Sequence, residues 1–128
     1  MENLKELRIG NYVEVNGEIS KIEGVIKYGI YYAFGYCPNQ DNWIKPIELT
    51  EEWLLKFGFE KEDFYFFKQY EWNNWGMRLN IFDGSWVVFH GFANQFSELT
   101  VIKFVNQLQN LYFALTGEEL IIKDKTNE

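Results

Sequence analysis

The chain has 128 residues, 47% of them hydrophobic and 20% aromatic, with 12 Lys and Arg against 19 Asp and Glu and a net charge of −7. That composition excludes a disordered chain and fits one compact domain, or at most two small subdomains that share a core. The acidic balance and the scatter of the basic residues argue against direct nucleic-acid binding, which needs a basic patch to neutralise phosphates.

The N-terminal stretch MENLKELRIG lacks the apolar core of a signal peptide, and no later segment reaches the length that crosses a membrane. Cys37 is the only cysteine, so no intrachain disulfide forms, as expected in a reducing compartment. A cytoplasmic protein is the expectation. The first third reads as β-structure. NYVEVNGEISKI places Asn16-Gly17 between β-prone runs, a hairpin signal that pairs Val15 with Glu18 and Val13 with Ser20. GVIKYGIYYAFGY continues in the same vein with glycine punctuation at Gly24, Gly29 and Gly35, predicting a small, strongly bent sheet or an SH3-like barrel. Pro38, Asn39 and Pro46 mark loops around a short strand at Trp43 and Ile44.

LTEEWLLKFGF, residues 49–59, predicts a compact helix. Thr50 serves as N-cap, Glu51 and Glu52 suit the positive helix start, and Gly58 suits the position just past the end. Trp53, Leu54 and Phe57 share its apolar face, with Leu55 flanking. Around this helix Glu48, Glu51, Glu52, Glu60, Glu62 and Asp63 form an acidic surface, either a solvated face or one presented to a basic partner.

From Asp63 to His90 the pattern predicts a three-stranded antiparallel meander with two-residue turns at Asn73-Asn74 and Asp83-Gly84. In that register Trp72 faces Trp75, Tyr70 faces Met77, Lys68 faces Leu79 and Phe66 faces Ile81. Across the second turn Ile81 faces Trp86, Leu79 faces Val88 and Met77 faces His90. Alternation then collects Phe66, Tyr70, Trp72, Trp75, Met77, Leu79, Ile81, Trp86 and Val88 on a core face. Lys68 falls there too, as a register defect or an edge lysine that snorkels. The opposite face holds Tyr65, Phe67, Gln69, Arg78, Asn80, Phe82, Val87 and Phe89; it is mixed, partly covered by the N-terminal strands or awaiting a partner.

A last helix starts at Ser97 or Thr100 and ends at Gly117. On a helical wheel Val101, Phe104, Val105, Leu108, Leu111, Tyr112 and Leu115 form one apolar stripe, within about 60° of Leu108. Ile102, Asn106, Gln109 and Phe113 form a second, half-apolar strip. It packs against the C-terminal strand ELIIK or a loop, or it binds a partner, which makes Ile102, Asn106, Gln109 and Phe113, with Tyr65, Phe67 and Phe82 of the mixed sheet face, the candidate partner-binding residues. The whole is an α+β chain, residues 1–128 as one domain: a glycine-bent β subdomain (1–47), then a short helix and a meander packed by the C-terminal amphipathic helix (48–128).

Chemistry is sparse. One His and one Cys cannot build a zinc site, and EF-hand, P-loop, GxGxxG and GxSxG patterns are absent, so neither metal nor cofactor is expected. His90 is the one candidate general base. A Cys37–His90 nucleophile–base pair would need the two to meet in space, and Cys37 has no helix start or basic neighbour to activate it.

Three stretches, LRIGNYV, IKPIELTEEWLLKFGF and VNQLQNLYFALTGEEL, together resemble a group of small uncharacterised proteins of Bacteroidetes, many of them encoded by prophages or other mobile elements. That group carries a histidine where this chain has Asn106, so no role of the histidine transfers. The resemblance implies a mobile-element accessory protein that binds a host protein, such as a component of a defence system. The reading is therefore a non-enzymatic protein-interaction module, with a homodimer among its forms. The alternative is a small-ligand or carbohydrate-binding domain with a cleft lined by Trp43, Trp75 or Trp86.

Overall fold

The computed structural model describes residues 6–40, 43–70, 74–92 and 95–123. Its strands in chain order are β1 (Tyr12–Val15), β2 (Glu18–Lys21), β3 (Gly24–Ile26), β4 (Gly29–Tyr32), β5 (Gly35–Pro38) and β6 (Ile44–Lys45), then helix α1 (Glu51–Lys56). They continue as β7 (Glu60–Lys61), β8 (Phe66–Gln69), β9 (Trp75–Phe82), β10 (Ser85–Phe92) and β11 (Gln95–Ile102), followed by helix α2 (Val105–Thr116). This is an α+β fold, with the strands in three antiparallel sheets. The chain divides into two compact units. One runs through Glu48 and resumes from Phe104 to Glu119; the other spans Leu49–Lys103 and resumes at Leu120.

The first unit holds two three-stranded sheets, β2-β1-β6 and β3-β4-β5, which do not close into an SH3-like barrel. Asn16 (φ 51°) and Gly17 (φ 91°) form the turn of the first hairpin and pair Val15 with Glu18 and Val13 with Ser20, the register their spacing predicts. Alternation along β1 sends Val13 and Val15 inward, where they meet Leu7, Ile22, Ile30, Cys37 and Ile44. Val25 and Tyr32 close this core from the side.

Helix α2 belongs to this unit and lies against β1, whereas the sequence pattern set it against the meander. It also starts later than Ser97 or Thr100: Phe104 is its N-cap, with the backbone N–H of Phe104 donating to Gln107 Oε1 at 3.0 Å. The stretch from Ser97 or Thr100 to Ile102, read as its first turns, belongs to strand β11, where Thr100, Val101 and Ile102 express their β-branched preference. Gly117 ends the helix in the left-handed conformation, as its position predicts.

The second strip of α2 is mostly not a surface. Asn106 and Gln109 are buried, and so is Ile102, which β11 places on the core face opposite Trp86. Gln109 supplies what a neighbouring strand would: its Nε2 donates to Gly10 O (3.0 Å) and its Oε1 accepts from Tyr12 N–H (2.8 Å). The side chain of Asn110 accepts from Arg8 Nε (2.8 Å) and Asn11 Nδ2 (2.9 Å) and donates to Glu6 O (2.6 Å). Arg8 in turn pairs with Glu119 at 2.7 Å, and its guanidinium lies 4.5 Å from the Phe113 ring centre. The strip therefore fastens the N-terminal segment. ELIIK forms no strand within its described residues, although Leu120 is buried.

In the second unit α1 has the predicted N-cap, with Thr50 Oγ1 accepting from Trp53 N–H, and it buries Trp53, Leu54 and Phe57. The sheet has five strands, in the order β11-β10-β9-β8-β7, two more than the predicted meander. Asp83 (φ 54°) and Gly84 (φ 79°) turn β9 into β10 and pair Ile81 with Trp86, Leu79 with Val88 and Met77 with His90, as predicted. Against β8 the register moves by two residues, so that Phe66 opposes Leu79 and Lys68 opposes Met77. A shift of two leaves every side chain on its predicted face. Trp72 and Asn73 of the expected first turn lie outside the described residues. Phe66, Tyr70, Met77, Leu79, Trp86, Val88 and Ile102 are buried on the core face, and the Trp86 indole donates to Leu49 O at 2.9 Å. Trp75 and Ile81, expected in that core, lie toward opposite ends of β9 and are 42% and 58% exposed.

Replacing Gln109 with leucine strands the Tyr12 N–H and the Gly10 carbonyl in a buried site. Chemical denaturation is expected to show a loss of about 2–4 kcal/mol. A change below about 0.5 kcal/mol would show that these bonds do not hold β1 to α2.

Candidate functional site

The outer face of the five-stranded sheet carries the most unusual arrangement of side chains. The β9–β10 register places Gly76 opposite Gly91, and Gly91 opposes Phe96 on β11. A Cβ at Gly76 would lie 2.7 Å from the Phe67 ring; one at Gly91 would land on the Gln95 carbonyl and 2.6 Å from the Phe96 Cα. The two glycines thus form a floor on which aromatic rings rest, a device known to rescue glycine in sheets. Phe67 and Phe96 meet edge-to-face over it, with ring centres 6.1 Å apart at 80°.

One step along β9 from Gly76 stands Arg78. Its guanidinium lies 4.5 Å from the Tyr65 ring centre, 5.0 Å from Phe96 and 5.5 Å from Phe89. Ring faces attract a cation but take none of its N–H bonds. The Nε–H is buried without an acceptor, and Arg78 forms no ion pair among the described residues. Beside it, Asn80 donates to Phe64 O at 3.3 Å while its Oδ1 is buried and unmatched. Buried polar groups are normally satisfied, so this face keeps one donor, Arg78 Nε–H, and one acceptor, Asn80 Oδ1, that folding does not use.

Tyr65 and Phe67 are half-buried parts of this cluster, and Phe82 stands 74% exposed at the hairpin end of the same face. The remaining sequence-derived candidates lie elsewhere. Ile102, Asn106 and Gln109 are buried, and Phe113 sits beneath Arg8. The acidic residues Glu48, Glu51, Glu52, Glu60, Glu62 and Asp63 are all exposed. Glu51 pairs with Lys61 at 3.4 Å and Glu52 with Lys56 at 4.0 Å, so cations are interleaved among them. Sequence reasoning set Arg78 and Phe89 on this face without naming them as partner-binding residues, and it missed Phe96, because that strand was read as the approach to a helix. The opposed Gly76 and Gly91 could have been found by counting outward from Asp83-Gly84.

Cys37 is buried, its Sγ 3.6 Å from Pro38 O, and burial raises its thiol pKa, the opposite of an activated nucleophile. His90 stacks with two rings, Trp75 at 4.9 Å and Tyr70 at 5.6 Å between ring centres, each at 28° to it. Trp86 is buried and unavailable to a cleft. A shallow cleft of about 270 Å³ lies at the β7–β8 edge, lined by Gly58, Glu60, Phe67, Lys68, Gln69 and Lys123. Lys68 reaches toward Gly58 there, as a snorkelling edge lysine does. Among the described residues no cluster of His, Cys, Asp and Glu is placed to hold a metal, and no helix is long and apolar enough to cross a membrane. Comparison with family models, curated proteins and solved structures finds no match.

Gly91→Ala pushes a methyl into the β11 backbone and is expected to cost about 1–3 kcal/mol in urea denaturation; an unchanged midpoint would show that the contact is not tight. Burial lowers the His90 pKa below its ordinary 6.5. The unfolded chain then binds the proton more readily, so the stabilising contribution is present above the ordinary value and is lost as pH falls below it and through the lower folded value. The urea midpoint should drop from about pH 7.5 to about pH 5.5, and His90→Gln should remove that part of the drop. An equal drop in the variant would assign it to other groups.

Proposed function

We propose that this protein is a non-enzymatic interaction module that docks on a protein partner through the outer face of its five-stranded sheet. The observation that carries the proposal is Arg78, held among Tyr65, Phe89 and Phe96 with unspent hydrogen-bond capacity. Aromatic side chains and arginine are the types most enriched at binding hot spots, because they combine large contact area with directed polar bonds. The rings hold the guanidinium in place before binding, so less rotamer freedom is lost when a carboxylate or carbonyl meets its N–H edge. A buried thiol with a raised pKa and an imidazole stacked against two rings favour binding over catalysis. Resemblance to mobile-element proteins suggests a host protein, such as a defence component, as the target, with the cytoplasm as the place of meeting.

A second reading rests on the first unit. Tyr31 and Tyr36 pair across β4 and β5 with ring centres 5.5 Å apart, and both are exposed, a tyrosine pair of the kind that stacks sugars. Saturation-transfer NMR with simple saccharides would reveal it as contacts at these tyrosines.

The docking proposal is tested by tagged capture from host lysate. Wild type should retain a protein in stoichiometric amount, Arg78→Glu should lose it, and Phe34→Ser, at an exposed site of the first unit, should keep it. Retention by Arg78→Glu, with the fold intact by circular dichroism, would contradict the assignment of the face.

A further inference from the structure

Resting on the reading of the outer sheet face as a docking surface, we propose that one partner it accepts is the same face of a second copy of this chain. One cross-strand row carries the complementarity. Glu60 pairs with Phe67, Phe67 with Arg78, Arg78 with Phe89, and Phe89 with Glu98. Across the five strands the row therefore reads acid, ring, cation, ring, acid. Strands lie about 4.8 Å apart, so about 10 Å of sheet and an intervening ring separate each acid's backbone position from that of the arginine. Neither Glu60 nor Glu98 forms an ion pair among the described residues.

A two-fold axis running along β10 reverses the order of the strands and keeps each row opposite itself. It sets Phe89 on its symmetry mate and Arg78 of each copy opposite Glu98 of the other, an isologous arrangement in which the Phe89 contact forms once, on the axis, and the Arg78–Glu98 contact twice. Sheets stack about 10 Å apart face to face, a gap that an arginine and a glutamate side chain bridge together. The pairing brings an opposite charge to Arg78, which forms no ion pair with the described residues of its own chain. The axis falls on β10 rather than β8 because the flanking strand there is the eight-residue β11, whereas the outer strand beyond β8 is the two-residue β7. About this axis only β9, β10 and β11 overlap, a face of about 15 Å by 25 Å that offers roughly 375 Å² per copy, well below the ~800 Å² a side of a standard stable complex. The association is accordingly weak and concentration-dependent.

Sedimentation equilibrium from about 5 µM to about 500 µM reads the outcome, that range spanning weak association. The weight-average mass of wild type should climb from 15.4 kDa toward twice that value. Arg78→Glu and Glu98→Arg, each folded by circular dichroism, should stay at the monomer mass, because each sets like charges opposite one another. An equimolar mixture of the two variants restores opposite charges at both contacts and should recover dimer to within about tenfold of wild type. A monomer at every concentration would overturn the proposal, as would dimers that ignore both substitutions or a mixture that stays monomeric. If wild type is monomeric but Arg78→Glu still loses a captured host protein, the second copy is excluded and the docking face stands; if Arg78→Glu keeps that protein, the face itself is excluded.

Discussion

The two-residue turn at Asp83-Gly84 sets the register of β9 against β10, and the composition of both sheet faces depends on that register. Positive φ at both turn residues gives the tight connection, and the pairing then runs without interruption from Phe82–Ser85 to Trp75–Phe92. On one side it aligns Met77, Leu79, Trp86 and Val88 as a buried core. On the other it brings Gly76 to Gly91 and Arg78 to Phe89. A slip of one residue would exchange the faces, bury the arginine and expose the core, so burial of the apolar side also fixes the cation's position on the other.

The ring cluster follows from the glycine pair. With no Cβ on either strand, the sheet surface is low enough for Phe67 and Phe96 to lie across it. Phe96 then borders Arg78. A surface arginine ordinarily moves freely and is strongly hydrated; here three rings limit its motion while leaving its Nε–H without an acceptor. Such a group is poorly explained by stability, since leaving a buried donor unmatched costs about 1–3 kcal/mol.

Local chemistry explains what was legible in the sequence. The Asn16-Gly17 and Asp83-Gly84 hairpins, the capped helix α1 and the core face of the meander all rest on short-range rules, and a two-residue change of register against β8 leaves the faces as they were. What was missed depends on distant partners or broken periodicity. Strand β11 is bulged where the β10 register shifts between Val88 and Phe89, so its alternation fails midway and its Ser and Thr resemble helix caps. Strand β7 is two charged residues, too short to leave a pattern. The amides of α2 looked like an outward strip because the backbone groups that satisfy Gln109 lie 97 and 99 residues earlier in the chain. Asn106, buried with both side-chain polar atoms unmatched, belongs to the same strip, and nothing in the structure explains its retention.

The organisation of the outer face around Arg78 is tested most directly by the NMR resonance of its Nε–H group. Stacking among Tyr65, Phe89 and Phe96 should displace that proton from the position of a free arginine through ring currents and slow its exchange with water, and Phe96→Leu should move it back part of the way. A resonance at the free-arginine position with rapid exchange in the folded protein would contradict the caged guanidinium and, with it, the recognition role assigned to this face.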